Sequence, residues 1–327
     1  MRKEGYYLVW PLAILGGLLL ARGIQILYIR SLPVERLMRT LSHLTDVRKQ
    51  EGYQGKQAFV LSLPEDSQII LLGNVLGNYE SLRQILNELT RSSELTLKGA
   101  LKKDRYLIMN GPFLGPTATN GQVLETLAQL IEQNPQTVWY LRGPQDDFGK
   151  LRDLSLFGKG MSFLQARTVG AFYATLPRAL YLLAENLNEP PVRIGPYGAD
   201  SSQFDRMACY PVNKGPIQSV CHLDDLCYYS EGTLAGIIDS DDQKLDWATM
   251  KGLQHADSSW HLISSPSLDY TLRYGYSTSA YAVITVGKDL ASSKLTYFYA
   301  PLGSDNFVQG ESYPLKRGKE KETQVKQ

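Results

Sequence analysis

Three short apolar runs, each ending at a glycine-bounded turn, constrain this chain more than any other feature. Ile69–Leu72 runs into Gly73 and Gly77, Tyr106–Met109 into Gly111 and Gly115, and Val138–Leu141 into Arg142 and Gly143. Each run has the length of a buried strand. The first is followed by a helical pattern at Glu80–Thr90, with Leu82, Ile85, Leu86 and Leu89 on one face, and the second by another at Val123–Glu132. Strands alternating with helices predict a layered α/β chain. Further strands are expected at Phe59–Leu63, Trp260–Ser264, Ala280–Val286 and Lys294–Tyr299. Helices are expected around 151–165 and 174–186, and Pro/Gly-rich loops over 188–203 and 211–216.

The N-terminus has a different character. After a tail of residues 1–5, Tyr6 to Ala21 is almost wholly apolar, and the apolar run resumes over Ile24–Ile29. Segment 6–29 is long enough to cross a bilayer core of roughly 30 Å as one helix. Tyr6, Tyr7, Trp10 and Tyr28 stand near its ends, where interfacial aromatics belong. Arg22 interrupts it and must snorkel or meet a partner inside a membrane assembly. A cleaved signal peptide fits less well, because Leu19 stands two residues before Ala21, where a small residue is needed. Arg2 and Lys3 favour a cytoplasmic N-terminus, whereas Arg22, Arg30, Arg36 and Arg39 argue the other way. Long domains translocate largely regardless of charge, so the balance leans towards export of the large domain.

Residues 30–57 hold an amphipathic helix and linker. Ser31 and Pro33 suit its start, and Val34, Leu37, Met38, Leu41, Leu44 and Val47 recur at helical spacing. Leu37, Leu41 and Leu44 either pack on the chain's own domain or offer a face to a membrane or partner. From about Lys316 the chain is charged and poor in apolar residues, and 304–327 is expected to be a disordered tail.

A formal net charge of +1 and no basic stripe give nucleic acid no general attraction. The three cysteines, Cys209, Cys221 and Cys227, have no zinc-site spacing. They read as free thiols, with one Cys221–Cys227 disulfide as the alternative in an oxidising compartment.

The turn Gly73-Asn74-Val75-Leu76-Gly77-Asn78 resembles the first motif of the calcineurin-like metallophosphatases, Gly-Asp-x-His-Gly, in the phosphoprotein phosphatase (PPP) branch. Gly111-Pro112-Phe113-Leu114-Gly115-Pro116 resembles the second, Gly-Asp-x-Val-Asp-Arg-Gly. Leu141-Arg142-Gly143-Pro144-Gln145-Asp146 is similar to the third, Leu-Arg-Gly-Asn-His-Glu. Later stretches, Ser230 to Trp247 and His261-Leu262-Ile263-Ser264-Ser265-Pro266, match the family's downstream order. The resemblance implies a β-sandwich flanked by helices over residues 58–303, preceded by one transmembrane helix.

It also implies which residues would act, and most are replaced. Gly73, Gly77, Gly111, Arg142, Gly143 and Asp146 keep the pattern. Asn74 and Leu76 stand where the family holds a metal with Asp and His, and Pro112 stands where an Asp bridges two metals. Gly115 and Pro116 take the place of an Asp-Arg pair that grips phosphate. Pro144 replaces a ligand Asn. Gln145 replaces the histidine general acid and has no ionisable proton near neutral pH. Near the family's first later histidine the chain reads Arg193-Ile194-Gly195-Pro196, and His255 alone falls near the second. A dinuclear centre needs carboxylate and imidazole ligands to generate hydroxide and clamp a phosphoryl group. No metal pair and no other cofactor is therefore expected. The chain is expected to be a pseudophosphatase of bacterial type in the inner membrane. Its expected partners are other subunits of a membrane-associated complex, contacted through Arg22 and the leucines of 30–57. The alternative is a divergent phosphoesterase, or a phosphate- or nucleotide-binding regulator using the same pocket.

Overall fold

Ile69, Ile70, Leu71 and Leu72 are all buried, although successive residues of a strand point to opposite faces. A strand buried on both sides must lie between two layers. The computed structural model describes residues 33–53, 58–142, 154–183, 192–196, 207–211, 217–227, 236–240, 253–256, 259–262, 264, 279–289, 292–301 and 304–315. Two sheets stack within it. In the first, β2 (Gln68–Leu72), β3 (Arg105–Asn110) and β4 (Val138–Leu141) run parallel. The antiparallel strands β14 (Ala280–Thr285), β15 (Lys294–Tyr299) and β16 (Val308–Pro314) extend it from β2, giving the order β16-β15-β14-β2-β3-β4.

The second sheet contains β1 (Ala58–Ser62), β7 (Ala179–Leu183), β8 (Val192–Pro196), β9 (Met207–Pro211), β10 (Ile217–Cys227), β11 (Gly236–Ser240), β12 (Leu253–Ala256) and β13 (Ser259–Leu262), in the order β12-β13-β11-β8-β7-β1-β10-β9. Between the sheets, Ile69, Leu71, Ile108 and Trp139 meet Phe59, Leu61, Leu180 and Ile194. On the other face of the first sheet, Ile70, Leu72, Leu107, Met109 and Tyr140 meet helices. These are α1 over 33–50, α2 (Tyr79–Arg91), α3 (Asn120–Gln133) and α4 (Phe163–Tyr173). Among the described residues the layered α/β expectation thus takes the form helices, sheet, sheet.

The α1 leucines correct one expectation. Leu37, Leu41 and Leu44 are 1%, 0% and 5% exposed and belong to the core formed with α3 and α4. They present no surface to a partner, and 33–50 is part of the domain, not a separate juxtamembrane element before residue 58. Arg48, near the end of α1, fixes the helix further. Its Nη2 donates to the Thr175 carbonyl at 3.1 Å and its Nε to Thr175 Oγ1 at 3.2 Å. Its guanidinium lies 4.6 Å from the centre of the Tyr53 ring. Burial weakens the hold of Arg48 on its proton, and burial pushes the Tyr53 hydroxyl up.

Other boundaries move for identifiable reasons. The expected helix at 174–186 is strand β7. Ala179-Leu180-Tyr181-Leu182-Leu183 is a uniform apolar run, which carries no period to separate a buried strand from a buried helix. Within 151–165 a hairpin forms from Ser155–Leu156 (β5) and Lys159–Gly160 (β6), and α4 starts only after Ser162. There the Ser162 side chain accepts from Gln165 N while the Gln165 side chain accepts from Ser162 N. Strand β8 lies inside the expected loop 188–203. The expected tail is also shorter, because β16 pairs with β15 and Leu315 is buried. This edge strand reads as polar because most of its residues are exposed to water. Gly310 leaves room for the ring of Tyr297, which a Cβ at 310 would meet at 2.0 Å.

Segment 6–29, with Arg22, lies outside the described residues. Among those described, no helix is long and apolar enough to cross a membrane.

Candidate functional site

Parallel strands send their following loops to one edge of a sheet, and ligands of α/β sheets gather there. The parallel register Leu72↔Met109 and Asn110↔Leu141 therefore brings 73–78, 111–117 and Arg142 to the same edge. Ser264 joins them from the distant downstream motif. It is fully buried, and its Oγ accepts from Gly73 N at 2.8 Å.

The first two loops are hydrogen-bonded to each other through their backbones. Val75 N and Leu76 N both donate to the Pro112 carbonyl at 3.2 Å, and Gly77 N donates to the Phe113 carbonyl at 2.6 Å. Leu76 adopts φ 52°, and Gly77 follows at φ 79°. The left-handed region suits Gly77 but costs a leucine about 1 kcal/mol. At Gly115 the contact is closer still: a Cβ there would lie 2.2 Å from the Leu76 carbonyl oxygen. Residue 115 must be glycine for these loops to meet.

Asn120, the first residue of α3, fastens the second loop. Its Oδ1 accepts from Gly115 N at 3.0 Å, and its Nδ2 donates to the carbonyls of Gly115, Thr117 and Ser155 at 2.7, 3.1 and 3.1 Å. Thr117 and Thr119 hydroxyls both donate to the Gly77 carbonyl. Behind the loops, Tyr140 Oη accepts from Phe113 N at 3.4 Å and is 3.0 Å from Tyr173 Oη. Asn78 ends the first loop by capping α2, its Oδ1 accepting from Ser81 N. Replacing Asn78 with alanine is expected to lower stability by about 1 kcal/mol, checked by urea unfolding.

A metal pair needs hard oxygen or imidazole ligands from several elements. At the described part of this edge, Leu76 offers only carbon, Pro112 has neither a ligating side chain nor a backbone donor, and Gly115 and Pro116 add nothing. Among the described residues no three His, Cys, Asp or Glu side chains converge. Asn74 is the one ligand-position residue here with a donor atom: it is 2% exposed, and its Oδ1 has no hydrogen-bond partner among the described residues. One amide oxygen does not make a dinuclear site, so these residues do not fit the metal pair that the resemblance implies. Arg142 directs its backbone N to the Pro177 carbonyl at 2.7 Å. Gly143, Pro144, Gln145 and Asp146 lie outside the described residues. Arg193 stands in β8 and His255 in β12, both strands of the second sheet.

The sequence pattern puts Gly73, Asn74, Leu76, Gly77, Gly111, Pro112, Gly115 and Pro116 in two loops that follow strands, and the strand order brings those loops to one edge. It missed Asn120 and the Thr117–Thr119 pair. Their signal was present as threonines and an asparagine at a helix start, the residue types that satisfy orphan backbone groups.

No protein-family model matches the chain, and no curated protein does. Among solved structures, a protein serine/threonine phosphatase from Saccharomyces cerevisiae with similarity to human phosphatase PP5 superposes with a TM-score of 0.53. It shares 14% identity over 87% of this chain and 91% of its own. A cold-active protein-tyrosine phosphatase from a psychrophilic Shewanella species shares 11% identity over 77% and 83% of the two chains, at a TM-score of 0.42, too distant to argue from. At such identities the likeness concerns architecture: the chain has a phosphatase-like fold.

Proposed function

We propose that this protein is a membrane-anchored pseudophosphatase, a structural component of a membrane-associated bacterial complex that has kept the fold and lost the chemistry. The observation that carries the reading is the meeting of the first two motif loops. Their backbones bond directly to each other, and Gly115 lies against the Leu76 carbonyl where the family's motif carries an aspartate. An acidic side chain could not be restored at 115 without separating the loops. The left-handed turn at Leu76 keeps a shape that leucine disfavours, as expected of a turn inherited from a sequence with other demands. Scaffolds of this kind outlive their original activity.

The apolar segment 6–29 supplies the anchor in this reading. The adjacent Phe163 and Leu164 replace the α1 leucines as the candidate contact surface, both being strongly exposed at the start of α4. Two measurements test the proposal together. The full chain is expected to remain with membranes through alkaline carbonate extraction, and a chain lacking 1–32 to be released. The purified full chain is expected to hydrolyse aryl phosphate no faster than buffer, with or without manganese. Release of the full chain removes the anchor, and metal-dependent turnover removes the pseudoenzyme.

One observation favours a second reading, a nucleotide-binding regulator without turnover. Buried acceptors are normally satisfied, and among the described residues Asn74 Oδ1 meets no donor. Phosphate brings mainly acceptor oxygens and a hydroxyl proton, whereas a nucleotide base can bring an amino donor. A rise in melting temperature with nucleotide but not with inorganic phosphate supports this reading.

A further inference from the structure

Strands β9 and β10 run antiparallel at the end of the second sheet, with β9 at its edge. Their register sets Cys209 directly opposite Cys221, between the pairs Tyr210↔Val220 and Ala208↔His222. Directly opposed residues share one face of the sheet, with Cα atoms about 4.5 or 5.5 Å apart according to the type of pair. Both separations fall inside the range of about 4.4–6.8 Å that a disulfide spans. The third cysteine is placed differently. Cys227 stands opposite Met207, beyond an irregularity that follows His222. That position is two rungs from the Cys209–Cys221 rung, about 7 Å along the ladder and at the limit of disulfide reach. The sequence offered Cys221 with Cys227 as the alternative to three free thiols; the register sets Cys221 opposite Cys209.

We propose that Cys209 and Cys221 are a disulfide-forming pair that staples the edge strand β9 to β10, leaving Cys227 as a free thiol. The oxidant is of the disulfide class, either oxidised glutathione or the active-site disulfide of an oxidase. The thiolate of one cysteine attacks a sulfur of that disulfide, forms a mixed disulfide and expels one thiolate. The thiolate of the other cysteine then displaces the second. The protein loses two protons and two electrons, and the oxidant is reduced to two thiols. The inner strand β10 also pairs with β1 at Ala58↔Cys221, so the staple joins an edge strand to the interior of the sheet. An exposed edge strand is the part of a sheet most in need of fixing. The proposal is independent of what the motif loops do. It suits a domain exported to an oxidising compartment.

The experiment uses the full chain in detergent micelles, equilibrated with oxidised and reduced glutathione, alkylated with iodoacetamide and digested without reduction. Trypsin cuts after Lys214 and endoproteinase Asp-N before Asp224, so the three cysteines fall on separate peptides. The expected result is one linked peptide pair, Cys209 with Cys221, lighter by two hydrogens than the free peptides, and alkylated Cys227. The same pair is expected in Cys227→Ser, and Cys209→Ser is expected to leave Cys221 alkylated. A link to Cys227, three alkylated cysteines, or a lasting glutathione adduct at Cys209 or Cys221 would each overturn the pairing.

Discussion

Replacing Gly115 with alanine is expected to destabilise the protein by about 3 kcal/mol, the upper part of the usual cost of overpacking. The reason is local and steric. The added methyl would sit 2.2 Å from the Leu76 carbonyl oxygen and 2.6 Å from its carbonyl carbon, and the obstacle is backbone, not a flexible side-chain end. Relief requires the loops to part, which breaks the bonds to the Pro112 and Phe113 carbonyls. In a domain of this size the melting temperature is expected to fall by about 6–12 °C. Gly160→Ala is the control, because among the described residues a Cβ there meets nothing within 4 Å and its effect is expected to stay within about 0.5 kcal/mol. A Gly115→Ala variant as stable as the parent would mean that the loops do not touch.

Asn120→Ala is expected to cost about 3–4 kcal/mol, from several buried hydrogen bonds at about 1 kcal/mol each and the unsatisfied groups left behind. The side chain is fully buried and serves one donor and three acceptors. Aspartate is no substitute, because the atom replacing Nδ2 would face three carbonyl oxygens without enough protons. Chemical unfolding measures both changes. Combining Asn120→Ala with Gly115→Ala is expected to cost less than the two separate losses added together, since both act on the loop around Gly115. Full additivity would show that the side chain of Asn120 and the loop contact are unrelated.

Much of the architecture was legible because the first half obeys simple rules. Ile69–Leu72, Tyr106–Met109 and Val138–Leu141 are apolar runs bounded by glycine, and their helices show one apolar face. Strand β7 was misread because Ala179–Leu182 is buried on both sides and the run shows no period. Strand β16 was misread because its exposed polar residues look like a tail. The role of α1 could not be settled from its pattern alone, since an apolar stripe looks the same whether it meets its own core or another chain. The motif loops were legible as glycine-bounded turns after two of the strands, at Gly73–Asn78 and Gly111–Pro116. The hydrogen bond from Gly73 to Ser264 was not, because it joins positions far apart in sequence whose meeting depends on the whole fold.

The reading of this edge rests on donor chemistry. In the proposed reading, leucine, proline and glycine stand where the metallophosphatase motifs that this chain resembles carry acidic and imidazole side chains, and the loops that carry them are bonded to each other. Elemental analysis of the full chain, purified in detergent and dialysed after exposure to manganese, iron and zinc, tests this most directly. The account predicts far less than one equivalent of any of these metals per chain. Two equivalents, retained through dialysis, would contradict it.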